Sequence, residues 1–203
     1  LALADRTILN EGNIVVDRGA AGEVVIDARG AAVIRNLGTF EFAGKARIGD
    51  ATRPVASQQF ENLGLLRVRA AATIALDLNN AGTVELSTAA SLNLFGAGTG
   101  ISSGAFVVAD RATLSLAGRF RFENTASASG GGRIDLGSSG RVTMTGGTFD
   151  GTVALAGGAE LSIEAPTTIR FLEMTGGAIS GLGPLTITLP QSELLGGTIT
   201  VPL

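Results

Sequence analysis

The stretch FENLGLLRV, residues 60–68, decides how this chain folds. A large apolar residue, a spacer, an Asn, a spacer and a Gly lead into four residues that end on an alternating Leu66, Arg67, Val68. The same word occurs as ILNEGNIVV from Ile8, IRNLGTFEF from Ile34 and LNNAGTVEL from Leu78, and a degenerate fifth copy, FENTASASG, starts at Phe122. The Asn residues are Asn10, Asn36, Asn62, Asn80 and Asn124, in steps of 26, 26, 18 and 44. The last step is twice 22, so the period is unequal and near 20, as in a solenoid whose turns carry loops of different length. Gly12, Gly38, Gly64 and Gly82 stand two residues after the first four Asn residues.

Short strands surround these words. RFRF at 119–122 places Phe120 and Phe122 on one face and Arg119 and Arg121 on the other, a period of two with one face buried. Each run is stopped by Gly, Ala-Gly or Ser-Gly, which marks tight bends rather than helices. In the last third MTGGTF from Met144, MTGGAI from Met174 and LLGGTI from Leu194 carry Gly pairs in place of Asn-x-Gly. A corner with positive φ accepts Gly freely and Asn tolerably, so one bend position is expected to hold Asn early and Gly late. Stacked Asn side chains donate and accept along the axis, and loss of one partner costs about 1–3 kcal/mol. Ile8, Ile34, Phe60, Leu78 and Phe122 are expected to stack as an interior column.

The expected fold is all-β: a right-handed parallel β-helix, or β-solenoid, of about ten short coils forming a single domain over residues 1–203. Handedness follows from the chirality of parallel crossovers. At ~4.8 Å per coil the rod would be roughly 45–50 Å long. A membrane barrel would need longer strands and Trp or Tyr girdles, and this chain has neither Trp nor Tyr. A sandwich would not repeat Asn-x-Gly. With no helix to cover either end, the open edges invite pairing, and Pro202 blunts one of them. Leu1 and the Ala2-Leu3-Ala4 word read as the start of a processed or excised segment of a longer exported protein.

Composition narrows function. Fifteen basic and 18 acidic residues give a net charge of −3, which argues against nucleic-acid and polybasic membrane partners. No apolar run reaches the ~18–20 residues of a spanning helix. The absence of His and Cys removes the usual triads, zinc sites and disulfides. Lys45 is the only Lys, a bias that leans towards a GC-rich bacterial source.

The Asn-x-Gly corners, the short alternating strands, the Gly, Ala, Ser and Thr richness and the lack of Cys resemble the β-helical passenger and stalk regions of bacterial surface proteins. The nearest kinds are filamentous-haemagglutinin-type adhesins and autotransporter passengers, over roughly residues 7–201. The resemblance implies an extracellular or cell-surface location and a structural or adhesive rod that displays loops or spaces a distal tip. It transfers no catalytic residue and no cofactor. The expected partners are flanking coils of the same polypeptide, copies of itself, or a host or surface ligand.

Two alternatives compete: a self-assembling filament subunit and a polysaccharide-active enzyme. The enzyme reading rests on Asp77, Glu85, Asp110, Asp135, Asp150, Glu160 and Glu164 with Arg111, Arg133 and Arg141, scattered at mostly outward positions that a solvated face explains equally well. Calcium-loop motifs are absent, and the single carboxylates of DRG (17–19) and DARG (27–30) read as turn residues. TMT at 143–145 and TIT at 186–188 and 198–200 are too unevenly spaced for a flat Thr array. GDATRPVASQQ, 49–59, and GAGTGISSG, 96–104, are the long loop candidates.

Overall fold

The computed structural model describes residues 1–17, 22–189 and 192–202. Arg18 and Gly19 of the DRG word therefore lie outside the described residues. The chain is a parallel β-solenoid of about nine turns, fewer than the ten expected. Each turn gives one short strand to each of three sheets. The first turn is Ala2–Ala4, Thr7–Asn10 and Asn13–Val16; the third is Ala46–Ile48, Gln59–Asn62 and Leu65–Val68. Strands pair parallel with their counterparts one turn away: Val33↔Gln59 to Asn36↔Asn62 in the second sheet, Thr39↔Leu65 to Phe42↔Val68 in the third.

Alternation explains why these residues form strands. Thr39–Phe42, Leu65–Val68 and Thr83–Leu86 each bury their second and fourth residues. All three sheets turn that face inward, so one core runs the length of the stack. Register makes columns of it: Phe40, Leu66, Val84 and Phe106 in the third sheet, Ile48, Ile74, Leu94 and Leu116 in the first. Each such side chain contributes about 1.5–3 kcal/mol relative to exposure. In the second sheet Ile34, Phe60 and Leu78 stack as expected and are fully buried, while Ile8, in the first turn, is only partly covered.

The corner glycines correct the conformational reading. None of Asn10, Asn36, Asn62 or Asn80 has positive φ, and neither have Gly12, Gly38, Gly64 and Gly82. Close approach is what requires glycine. A Cβ on Gly38 would fall far inside contact with the carbonyl oxygen of Gly12, one on Gly64 with that of Gly38, and one on Gly82 with that of Gly64. Gly104 repeats the relation to Gly82. Nothing stands within 4 Å of the corresponding point on Gly12.

The Gly-Gly words divide between two corners. Gly146 follows Met144 in the second sheet and so lies at the Asn corner. Met174 and Leu194 belong to the first sheet, so Gly176, Gly177, Gly196 and Gly197 turn a different corner. There the strands Thr167–Ser180 and Glu193–Thr200 pass from the first sheet to the second with slips of register instead of breaks, as Gly147–Leu155 does from the third sheet to the first. Gly177, at φ 82°, supplies the left-handed bend.

Gly64→Ala is expected to lose about 1–3 kcal/mol through overpacking, read as a lower denaturant midpoint. Gly12→Ala, made in open space, is expected to stay within about 0.5 kcal/mol of the parent.

Candidate functional site

The Asn corners form one continuous hydrogen-bonded ladder. Asn10 Nδ2 donates to Asn36 Oδ1 at 2.7 Å, Asn36 to Asn62 at 2.8 Å and Asn62 to Asn80 at 2.8 Å. The second amide hydrogen of each goes to a backbone carbonyl of the following turn: Thr39, Leu65 and Thr83 at 2.8–3.0 Å. The Asn backbone carbonyls do equal work. Asn10 O accepts from the amides of Leu37 and Gly38, Asn36 O from Leu63 and Gly64, Asn62 O from Ala81 and Gly82, and Asn80 O from Ser103 and Gly104. These side chains are buried, where an unmade hydrogen bond is costly.

The ladder ends at a residue that sequence reading missed. Asn80 Nδ2 donates to Ser102 Oγ at 3.1 Å, and the Ser102 hydroxyl lies 3.2 Å from Asn80 O. The signal was present in Ser102-Ser103-Gly104, a Ser-x-Gly variant of the corner word. Asn80 pairs with Ser102 and Ser102 with Phe122, so Phe122 occupies the ladder column and Phe120 the Leu78 column. The fifth word therefore stands two residues out of step with the other four: Asn124 sits exposed in a turn, outside the ladder. Phe122 is fully buried, with its ring packed edge-on against Phe106 and Phe149 at 5.7 and 5.0 Å. Gly100 leaves room beneath the Phe120 ring.

Outside this corner lies a groove of about 370 Å³. Asn79 and Ala81 form its floor, because the fourth turn carries short side chains there. Leu63 and Ile101, 46% and 40% exposed, form its walls. Arg35 and Glu61, ion-paired at 3.2 Å, close one end. Around the next corner Arg67 bridges Glu41 and Glu85 at 3.5 and 3.3 Å, and Arg69 pairs with Glu41 at 2.9 Å. These pairs run along the axis and join successive turns.

The scattered carboxylates do not converge. Glu85 is held by Arg67, Glu160 by Arg141 and Glu164 by Arg121. Asp135 and Asp150 lie 4.0 Å from Arg133 and Arg170. Asp110 and Arg111 lie at a turn, where Arg111 has φ 62°. Asp77 is the exception to the outward pattern: it is buried, and Gly98 N donates to its Oδ1 at 2.9 Å. Burial raises its pKa above the ordinary carboxylate value, and the Gly98 bond opposes that rise. No group of three or more metal-ligating residues occurs among the described residues.

Of the loop candidates, 96–104 is mostly structured, since Thr99–Ser102 is a strand of the second sheet. The 49–59 segment is a loop held back on the rod: Gln58 Nε2 donates to Ala28 O and Ser57 Oγ to Gly30 O. Of the Thr words, 186–188 lies on the third sheet, while 143–145 and 198–200 lie on the second, where Thr143, Ser162, Ser180 and Thr200 share one outward column, a hydroxyl row that the spacing of the words does not reveal.

The chain matches no family model, no curated protein and no solved structure. No helix among the described residues is long and apolar enough to cross a membrane.

Asn62→Ala orphans the Asn36 donor and the Asn80 acceptor together, and is expected to cost about 2–5 kcal/mol in chemical denaturation. Asp77→Asn keeps the acceptor for Gly98 and removes the buried charge. A carboxyl whose pKa is raised by folding destabilises the fold while ionised and ceases to do so once protonated in both states. The variant should therefore melt above the parent at pH 7, with the gain shrinking as pH falls through the raised pKa and vanishing below the unfolded value of about 3.9.

Proposed function

We propose that this chain is a rod-like structural or adhesive segment of an exported bacterial surface protein, displaying side chains and loops along its length or spacing a distal tip. The observation that carries the reading is the continuity of the corner. The same hydrogen bonds recur from turn to turn through Asn10, Asn36, Asn62 and Asn80, so bending the stack there would break buried amide pairs. Ion pairs between successive turns add axial ties of about 0–1 kcal/mol each. The Leu63–Ile101 groove and the 49–59 loop are the surfaces that such a rod offers for recognition.

Two measurements test this. The chain has no Cys, so Asn13→Cys and Thr186→Cys give a clean label pair. Both positions are exposed and lie in one column eight turns apart. A spacer should give a narrow distance distribution centred near ~38 Å, from ~4.8 Å per turn; a broad or much shorter one defeats the spacing role. Protease treatment of intact source cells should release peptides of this chain. Release only after lysis would defeat the surface location.

A further inference from the structure

The ladder has a direction, and its first rung is incomplete. Every Asn side chain after the first accepts, at Oδ1, an Nδ2 hydrogen from the turn before it. Among the described residues, Asn10 Oδ1 receives only its own Gly12 N, at 3.2 Å. The corresponding amides of later turns, Gly38, Gly64 and Gly82, donate instead to the Asn backbone carbonyl of the preceding turn. Gly12 has thus turned to its own side chain in place of that carbonyl. The space agrees: Gly12 is the corner glycine with nothing against it, where Gly38 and Gly64 each meet the corner before. The core agrees as well, since Ile8 and Ile14 are only partly covered whereas Ile34 and Phe40 beneath them are sealed.

We infer that the face formed by Thr7–Asn10 and Asn13–Val16 is a docking surface for one further parallel β-coil that presents an Asn side chain at the ladder position. That coil would supply one Nδ2 donor to Asn10 Oδ1 and one backbone carbonyl to the amides of Glu11 and Gly12. The carboxy-terminal turn of a second copy does not meet this requirement. Register carries the ladder column through Phe122, Met144 and Ile163 to Gly181 and then Val201, and Val201 has no side-chain donor. Stacking two amino-terminal faces together would oppose Oδ1 to Oδ1. The partner is therefore a coil built like the second turn of this chain, and its recognition rests on the fold, independent of the surface role proposed above.

The test fuses a copy of residues 27–52 directly ahead of Leu1 of the full chain. This places the copied Asn36 26 residues before Asn10, the spacing of the Asn10–Asn36 rung. A second fusion carries Asn36→Asp in the copy only, a near-isosteric change that removes the donor. The Asn fusion is expected to slow hydrogen exchange at the Glu11 and Gly12 amides at least about tenfold relative to the parent, and to melt above the Asp fusion at pH 7. Unchanged exchange, or equal melting of the two fusions, overturns the inference. Light scattering of the parent over a concentration series should show a constant mass; growth with concentration would mean that a second copy occupies the face, and would overturn it too.

Discussion

Stacking like on like is the constraint on which the rest of this structure depends. In a parallel solenoid each corner sits ~4.8 Å above the same corner of the turn before, so a polar side chain buried there faces its counterpart and can be satisfied by a copy of itself. A primary amide can do this, because it donates and accepts in one line. That is why Asn recurs at 10, 36, 62 and 80, and why each one binds the next. The glycine two places on follows from the same geometry: the carbonyl of the previous corner projects into the space its Cβ would need.

The constraint also explains where the pattern stops. Ser102 is small enough to cap the last amide and polar enough to return a contact to the Asn80 carbonyl. Past it the column becomes Phe122, Met144 and Ile163: apolar packing replaces the side-chain ladder, while backbone amides such as Thr145 N and Glu164 N still donate to the carbonyls of Phe122 and Met144. Along this one corner the rod has two segments in series, one held by the amide ladder and one packed by apolar side chains. The slips of register lie at the other two corners, which the longest strands, Gly147–Leu155 and Thr167–Ser180, cross without a break.

For function, the consequence is polarity along the axis. Every rung donates towards the carboxy-terminal end, so the two ends offer different chemistry: an amide carbonyl and backbone amides at one, Val201 with the exposed Leu194 and Leu195 at the other. The outer faces add axial charge pairing and a groove over the short fourth turn.

Local pattern alone determined the strand period, the inward faces and the first four corners, because alternation and Asn-x-Gly are properties of neighbouring residues. It also placed Ile34, Phe60 and Leu78 in one column. Tertiary structure decided what depends on stacking. Asn124 matches the word yet misses the ladder, since the register at Phe122 is set by pairing with Ser102 and not by Phe122's own neighbours. Gly146 and Gly176 look alike and turn different corners, because the sheet to which Met144 or Met174 belongs is settled only when turns of unequal length come together. The carboxylate of Asp77, one among several in the sequence, is buried by a loop 21 residues away. Corner glycine is likewise a matter of contact between turns, visible only once one carbonyl stands above the next.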